Sequence, residues 1–328
     1  MATSAEQEKQ MERIPVIDVS GLGAPSLLAR REVAAQLGQA CREVGFFYVA
    51  GHGIADPVRT AMFGAARDFF ALPVAAKDRL SIRLSPHNRG YAGMGSEKLD
   101  QAAAADQKEA FNIGLDLLPD DPEVLAGAPF RGVNLWPDLP GWRATVLAYY
   151  DACQRLQLDL HRGIALDLGL AENFFADKLD RPIATLRMLH YPAGAASGPD
   201  ELGAGTHTDY GNLTILATDG VAGLQVRRRD GRWLDAPHID GTFVCNIGDC
   251  LMRWTNDVYV STPHRVLRPA SERYSVAFFA DPNPDALVEA IPTCVPHGEA
   301  PRYAPITSAA YLRQRLDATY EHLAQTAT

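Results

Sequence analysis

Hydrophobic and polar positions follow two different rhythms along this chain. From Ser26 to about Val44 the apolar residues Leu27, Leu28, Val33, Ala34, Leu37 and Cys41 recur near helical spacing, with Ser26 placed to cap the start and Gly45 to end the run. Asp56-Pro57 reads as an N-cap followed by proline at the first helical position, opening a helix to about Ala71. Pro73 starts another short helix. Pro140 to Leu168 holds the longest helical stripe, carried by Val146, Leu147, Tyr150, Cys153, Leu156, Leu160, Ile164 and Leu168. Between these helices, Ile14–Val19 and Phe46–Val49 read as short strands, and Gln107 to Leu117 has room for one. The looser stretch from Ser85 to Pro137 contains Arg89-Gly90-Tyr91 and Gly93-Met94-Gly95, which read as loop.

After Pro182 the rhythm changes to short apolar runs separated by Gly, Pro, Asp and Asn. The strands predicted here are Thr185–Tyr191, Leu213–Thr218, Leu224–Arg227, Trp233–Ala236, Phe243–Ile247, Val266–Leu267 and Tyr274–Ala280. Closely spaced strands of this kind suggest a jelly-roll or barrel. An amphipathic segment from Ser308 to Leu323 is expected to pack on the outside. The reading is one α+β unit over residues 1–328. A mainly helical layer spans 1–180, a jelly-roll core 181–307 and a C-terminal helix 308–328.

Composition narrows the partners. Of 328 residues, 47% are hydrophobic and 22% charged, and the formal net charge of -9 argues against nucleic acid or an anionic membrane. The basic cluster Arg227-Arg228-Arg229 with Arg232 surrounds Asp230-Gly231, a hairpin-turn signal, and is read as a solvated tip. Five cysteines without a C-x-x-C pair suggest neither a disulfide framework nor a thiolate zinc site. With no apolar leader segment and no run near the roughly 18 residues of a membrane helix, a cytoplasmic monomer acting on a small molecule is expected.

The candidate chemistry begins at Thr206-His207-Thr208-Asp209-Tyr210. In extended backbone, residues i and i+2 share a face, so His207 and Asp209 could present two adjacent metal ligands. His238-Ile239-Asp240 repeats the triplet, but Pro237 and Gly241 put it in a turn, where its side chains are not expected to share a face. For a third ligand, His264 enters a strand, and Arg273-Tyr274-Ser275 follows with an Arg and a Ser able to clamp a carboxylate. Two histidines and one carboxylate form the facial set of non-haem Fe(II) oxygenases. A structural zinc would want four protein ligands. A zinc hydrolase would want a general base of the H-E-x-x-H sort, which is missing, as is the G-x-S-x-G of serine hydrolases. Gly93-Met94-Gly95 lacks the third glycine of a dinucleotide fingerprint.

Taken together, these blocks resemble the isopenicillin N synthase-like branch of the Fe(II)/2-oxoglutarate-dependent dioxygenases. The resemblance runs from Ile14-Pro15-Val16-Ile17-Asp18 through Gly45-Phe46-Phe47-Tyr48-Val49, His52-Gly53-Ile54, Lys108-Glu109, Gly223-Leu224-Gln225-Val226 and Asn246-Ile247-Gly248-Asp249 to Tyr303-Ala304-Pro305-Ile306-Thr307. It implies a double-stranded β-helix with a helical layer, Fe(II) held by His207, Asp209 and His264, and 2-oxoglutarate and O2 as cosubstrates. It also implies that Arg273 and Ser275 hold the distal carboxylate of 2-oxoglutarate, with Tyr191 donating to it. Plant members often carry an asparagine two residues before that tyrosine; here the position is Leu189. Phe279 matches a position that often lines the substrate cavity, and it also reads as a core strand aromatic. The implied reaction oxidises a C–H bond of a small organic metabolite, most often by hydroxylation, releasing succinate and CO2. Desaturation, ring closure and ring expansion start from the same chemistry. Isopenicillin N synthase and aminocyclopropanecarboxylate oxidase keep R-x-S without using 2-oxoglutarate, so an oxidase of that kind stays open, as does, more remotely, a non-catalytic jelly-roll.

Overall fold

The computed structural model describes residues 13–100, 104–194 and 201–319. In chain order the first half holds β1 (Val16–Asp18), α1 (Leu27–Glu43), β2 (Phe46–Ala50), α2 (Asp56–Phe70), α3 (Val74–Asp78), β3 (Gly90–Ala92), β4 (Glu109–Ile113), α4 (Pro122–Leu125) and the 26-residue α5 (Trp142–Asp167). The second half holds β5 (Thr185–Tyr191), β6 (Leu202–His207), β7 (Leu213–Thr218), β8 (Leu224–Arg227), β9 (Trp233–Asp235), β10 (Phe243–Ile247), α6 (Asp249–Trp254), β11 (His264–Leu267), β12 (Arg273–Ala280), β13 (Leu287–Val288), β14 (Ile306–Thr307) and α7 (Ser308–Thr319). Local signals set several boundaries. Ser26 Oγ accepts from the backbone N–H of Ala29 at the start of α1, and Gly45 adopts φ +70 just past its end.

An eight-stranded sheet runs in the order β1-β2-β10-β7-β12-β5-β4-β3, and a four-stranded sheet in the order β6-β11-β8-β9. Strands from both halves of the chain therefore share the large sheet. Alternation along its strands separates two interiors. Leu186, Met188, Ile215, Val276 and Phe278 face the helices, where they pack with Leu37, Met62, Phe69, Tyr149 and Leu156. Their neighbours Leu189, Tyr191, Val244 and Ala277 face the small sheet and join Ala204, Leu224, Val226 and Val266. The two sheets are the facing walls of a jelly-roll, and the site lies between them.

Three expectations are corrected. Gly90–Ala92, read as loop, pairs with β4 as strand β3. β6 was missing from the expected strands because Leu202-Gly203-Ala204-Gly205 has little strand propensity; pairing with β11 overrides that. Glycine is needed there, since a Cβ at Gly205 would sit 2.8 Å from Asp100 Cβ, and its N–H donates to Asp106 Oδ1 at 2.9 Å. The last helix is also more than an outer layer. Leu312 and Leu316 of α7 form part of the cavity wall, because its apolar stripe packs down beside Phe130 and Ile183 at the rim of the jelly-roll.

Candidate metal centre and cosubstrate pocket

His207 ends β6 and His264 begins β11, and the two are direct cross-strand partners. Their rings lie 4.3 Å apart between centroids. Asp209 follows β6 by two residues and turns its carboxylate toward both rings. Its Oδ1 is 3.8 Å from His207 Nε2 and 3.6 Å from His264 Nε2. One ligand atom from each residue falls within 4.8 Å of the others, the only such cluster of three among the described residues.

The remaining polar atoms of the triad are already engaged. His207 Nδ1 donates to the Gly205 carbonyl at 2.7 Å, and His264 Nδ1 to the Thr262 carbonyl at 3.2 Å. A carbonyl can only accept, so each ring keeps its proton on Nδ1 and offers the Nε2 lone pair to the centre. Asp209 Oδ2 accepts from Thr214 Oγ1 and from Asn246 Nδ2, the latter at 2.7 Å, which leaves Oδ1 for a metal. The loop is tied from behind: Asp249 N–H donates to the Asp209 carbonyl at 2.7 Å, while the Asp249 carboxylate accepts from Thr208 Oγ1 and pairs with Arg315. Two imidazoles and one monodentate carboxylate on one side of a centre fit Fe(II) with open positions.

Electrostatics favours a neutral His207 and an ionised Asp209, the forms that can bind a metal. Burial, then the neighbouring His264, pulls His207 down to about 3 against the pull of Asp209. Burial alone would raise Asp209, but His264, His207 and the hydrogen bonds from Asn246 and Thr214 together keep it below the ordinary carboxylate range. His161 of α5 is likewise lowered by burial to about 4. An unfolded chain protonates both rings near 6.5, whereas the fold does not until about 4 and about 3. The unfolded state therefore binds more protons in that window, and the metal-free protein is expected to lose stability as pH falls below 6.5. Each ring contributes about 1.4 kcal/mol per pH unit, and Asp281, which burial raises to about 7, works the other way in the same window, so a net slope of about 1.4 kcal/mol per pH unit remains. Denaturant melts at about pH 7, 6 and 5 measure it; a constant midpoint would contradict neutral buried rings.

The other end of the cavity is built on β12. Arg273 is 1% exposed, donates from Nε to the Val221 carbonyl at 3.2 Å and from Nη1 to Ser275 Oγ at 3.3 Å. Its guanidinium lies 4.8 Å above the ring of Tyr191, its cross-strand partner in β5. No carboxylate among the described residues reaches ion-pair distance of Arg273, so a buried cation faces the cavity with hydrogen-bonding capacity to spare. Leu189 stands opposite Ser275, and its side chain lines the cavity without offering a polar contact. Phe279 lies opposite Thr214, half-buried on the cavity wall.

Sequence reading missed several wall residues. Thr214 and Asn246 orient Asp209, and their only signal was a polar residue inside an apolar run. Arg187 pairs with Glu97, and Lys108 with Asp106 and Glu97, all of them buried. An arginine among Leu186, Met188 and Leu189 of β5 was the visible clue to this network. His238-Ile239-Asp240 needs a correction of reason. The turn brings His238 Nε2 within 2.9 Å of Asp240 Oδ1 rather than parting them, but Asp240 is fully exposed and no third ligand joins among the described residues. Arg227–Arg232 does form the tip between β8 and β9, where Arg232 pairs with Asp230.

Profiles of two families match the chain: the non-haem dioxygenase in morphine synthesis N-terminal family over residues 14–139, and the 2OG-Fe(II) oxygenase superfamily over residues 182–282. The 2-oxoglutarate-Fe(II) type oxidoreductase hxnY of Emericella nidulans is 37% identical over 301 residues, covering 89% of this chain and 86% of its own. The chain belongs to the 2OG-Fe(II) oxygenase superfamily. Homoarginine-6-hydroxylase 2-ODD-233 of Oryza sativa subsp. japonica is 38% identical over 298 residues, with 86% and 89% of the two chains covered. A full-length Neurospora crassa protein crystallised in complex with alpha-KG superposes with a TM-score of 0.84 at 35% identity, over 93% of this chain and 96% of that one. The same Neurospora protein has been crystallised with alpha-KG and thymine together. This oxygenase is thus a 2-oxoglutarate-dependent dioxygenase with Fe(II) as its metal and O2 as cosubstrate. The readings without 2-oxoglutarate or without catalysis fall away. None of its described helices is long and apolar enough to cross a membrane.

Proposed function

We propose that His207, Asp209 and His264 bind the Fe(II), that Arg273, Ser275 and Tyr191 hold the far carboxylate of 2-oxoglutarate, and that the product is a hydroxylated small metabolite. The observation that carries this is the convergence of Nε2, Nε2 and Oδ1 while every other polar atom of the triad is tied to the fold. Fe(II), 2-oxoglutarate and O2 together supply the oxidant for a substrate C–H bond, with succinate and CO2 released. The chain's own part is positional. Arg273 neutralises one end of the cosubstrate, Ser275 and Tyr191 orient it, and Leu189 leaves that grip without an amide. Phe279 forms the substrate wall beside the metal, and Leu312 and Leu316 keep water out. Small substrates are supported by the relatives: homoarginine in the rice enzyme's name and thymine in the Neurospora crystals.

Residues 1–328 are read as one working unit, a view supported by strands of both halves sharing the large sheet. A cytoplasmic monomer is in keeping with the net charge of -9, which also disfavours nucleic acid and anionic membranes. A metabolite screen with anaerobically loaded Fe(II) protein tests the reading. Succinate should form in step with one oxidised small molecule, and a protein that never couples the two would refute it. Within the same assay, Asn246→Ala is expected to weaken Fe(II) binding by about 10–100-fold, since Asp209 then loses a hydrogen bond that aims it. A metal titration that gives wild-type affinity would remove Asn246 from this role.

A further inference from the structure

Asp281 is the charged residue of the cavity wall that the fold leaves unengaged. Its side chain lines the cavity, is 6% exposed, and has no hydrogen bond or ion pair among the described residues. It continues the cavity-facing alternation of β12 through Arg273, Ser275, Ala277 and Phe279. It therefore stands past Phe279, at the opposite end of that face from the cosubstrate arginine. Gly211, just after the metal-ligand loop, makes room for it: a Cβ there would lie 2.6 Å from Asp281 Oδ1. The cation whose charge bears on it is Arg89, also buried. It donates to Thr185 Oγ1 at 3.5 Å, leaves its Nε without a partner, and stays beyond ion-pair distance of Asp281.

The other charges around the cavity are already matched. Arg187 pairs with Glu97 and Lys108 with Asp106. With Fe(II) and 2-oxoglutarate held as proposed above, their charges and those of Asp209 and Arg273 would cancel one another. An isolated carboxylate in a dry wall is costly unless a donor arrives. Burial and the charge of Asp209 push Asp281 up to about 7, so its surroundings solvate the charged form poorly.

We propose that Asp281 reads the substrate, accepting hydrogen bonds from an N–H group of a nitrogenous molecule whose neighbouring carbon is thereby presented to the metal. This rests on the metal and cosubstrate assignment above. Neutral ring or amide N–H groups and cationic guanidinium groups share the donor that a carboxylate needs. An alcohol also offers one donor, which the hydroxyl control tells apart.

The test uses the full chain loaded with redox-inert Zn(II) and 2-oxoglutarate, with fragment binding followed by saturation-transfer NMR. One pair is 2-pyrrolidinone against N-methyl-2-pyrrolidinone; the other is butylguanidinium against butyltrimethylammonium, which keeps the charge but has no N–H. Cyclopentanol is the hydroxyl control. In the wild type at least one N–H member is expected to bind about fivefold or more tighter than its methylated partner and than cyclopentanol. In Asp281→Asn and Asp281→Ala that preference should shrink to within about twofold. The asparagine variant keeps the shape of the wall, so a purely steric rejection of the methyl group would survive in it. The pair with the larger preference tells a neutral substrate from a cationic one. Three results would overturn the proposal: no preference for either N–H member in the wild type (absence of all binding included), tighter binding of cyclopentanol, or a preference that persists in both variants. Calorimetric binding of 2-oxoglutarate to the same samples separates the two readings. If it is retained while the preference is missing, only Asp281 loses its role; if it is lost in the wild type, the cosubstrate pocket itself is misassigned.

Discussion

Asp209→Ala is expected to reduce coupled succinate formation to background and to lower Fe(II) affinity beyond the ~10–100-fold typical of residues that only orient a ligand. In the proposed site this side chain is the one anion of the triad, so its loss would remove the charge that balances the metal and leave two imidazoles alone. Thr214 and Asn246 lose their acceptor at the same time, and each buried donor left unpaired costs about 1–3 kcal/mol of fold stability. Asp209→Asn separates the two effects. It keeps the shape and an acceptor oxygen, so the fold should survive while metal binding still drops. Metal titration, circular dichroism and coupled turnover on both variants check this. Full turnover in either would end the assignment of the triad.

The second large effect is at Arg273. Replacement by Met fills similar volume without the charge, and the cosubstrate's far carboxylate then meets no cation in a closed wall. Truncating one partner of a buried, hydrogen-bonded charge pair costs about 2–5 kcal/mol, so the KM for 2-oxoglutarate should rise at least about thirtyfold. Metal affinity should hold, because Arg273 is not among the residues converging on the centre. Arg273→Lys should recover only part of the loss, since an ammonium cannot reproduce a planar two-pronged donor stacked on Tyr191. A KM within twofold of wild type in Arg273→Met would show that the carboxylate is held elsewhere.

Much of the jelly-roll was legible because its strands are short apolar runs with turn residues on both sides. β5, β7, β8 and β10 have the bounds expected from sequence. Strand β6, which carries His207, was not legible, since two glycines and an alanine carry no strand signal and the pairing with β11 decides its state. The triad residues themselves could be named, but not the reason they meet: His207 and His264 are cross-strand partners, a relation that spacing along the chain does not encode. The same holds for the hydrogen bonds on Asp209. A threonine or asparagine in an apolar run shows that something polar is buried there without saying what it touches. For α7, amphipathic periodicity identified a helix with one apolar face; that this face covers the mouth of the cavity is tertiary information.

The two interiors divided by β12 leave that strand little freedom to drift. Its odd-numbered residues, from Arg273 to Phe279, serve the cavity, and Tyr274, Val276, Phe278 and Ala280 serve the core against the helices. Inserting or deleting a single residue would exchange the two sets, driving a guanidinium into hydrocarbon and the rings of Tyr274 and Phe278 into the cavity. Point replacements along it should fall into two kinds, one lowering the amount of protein in the cell and the other leaving abundance intact while silencing it. Within this strand, lineages can therefore change chemistry by substitution but not by length.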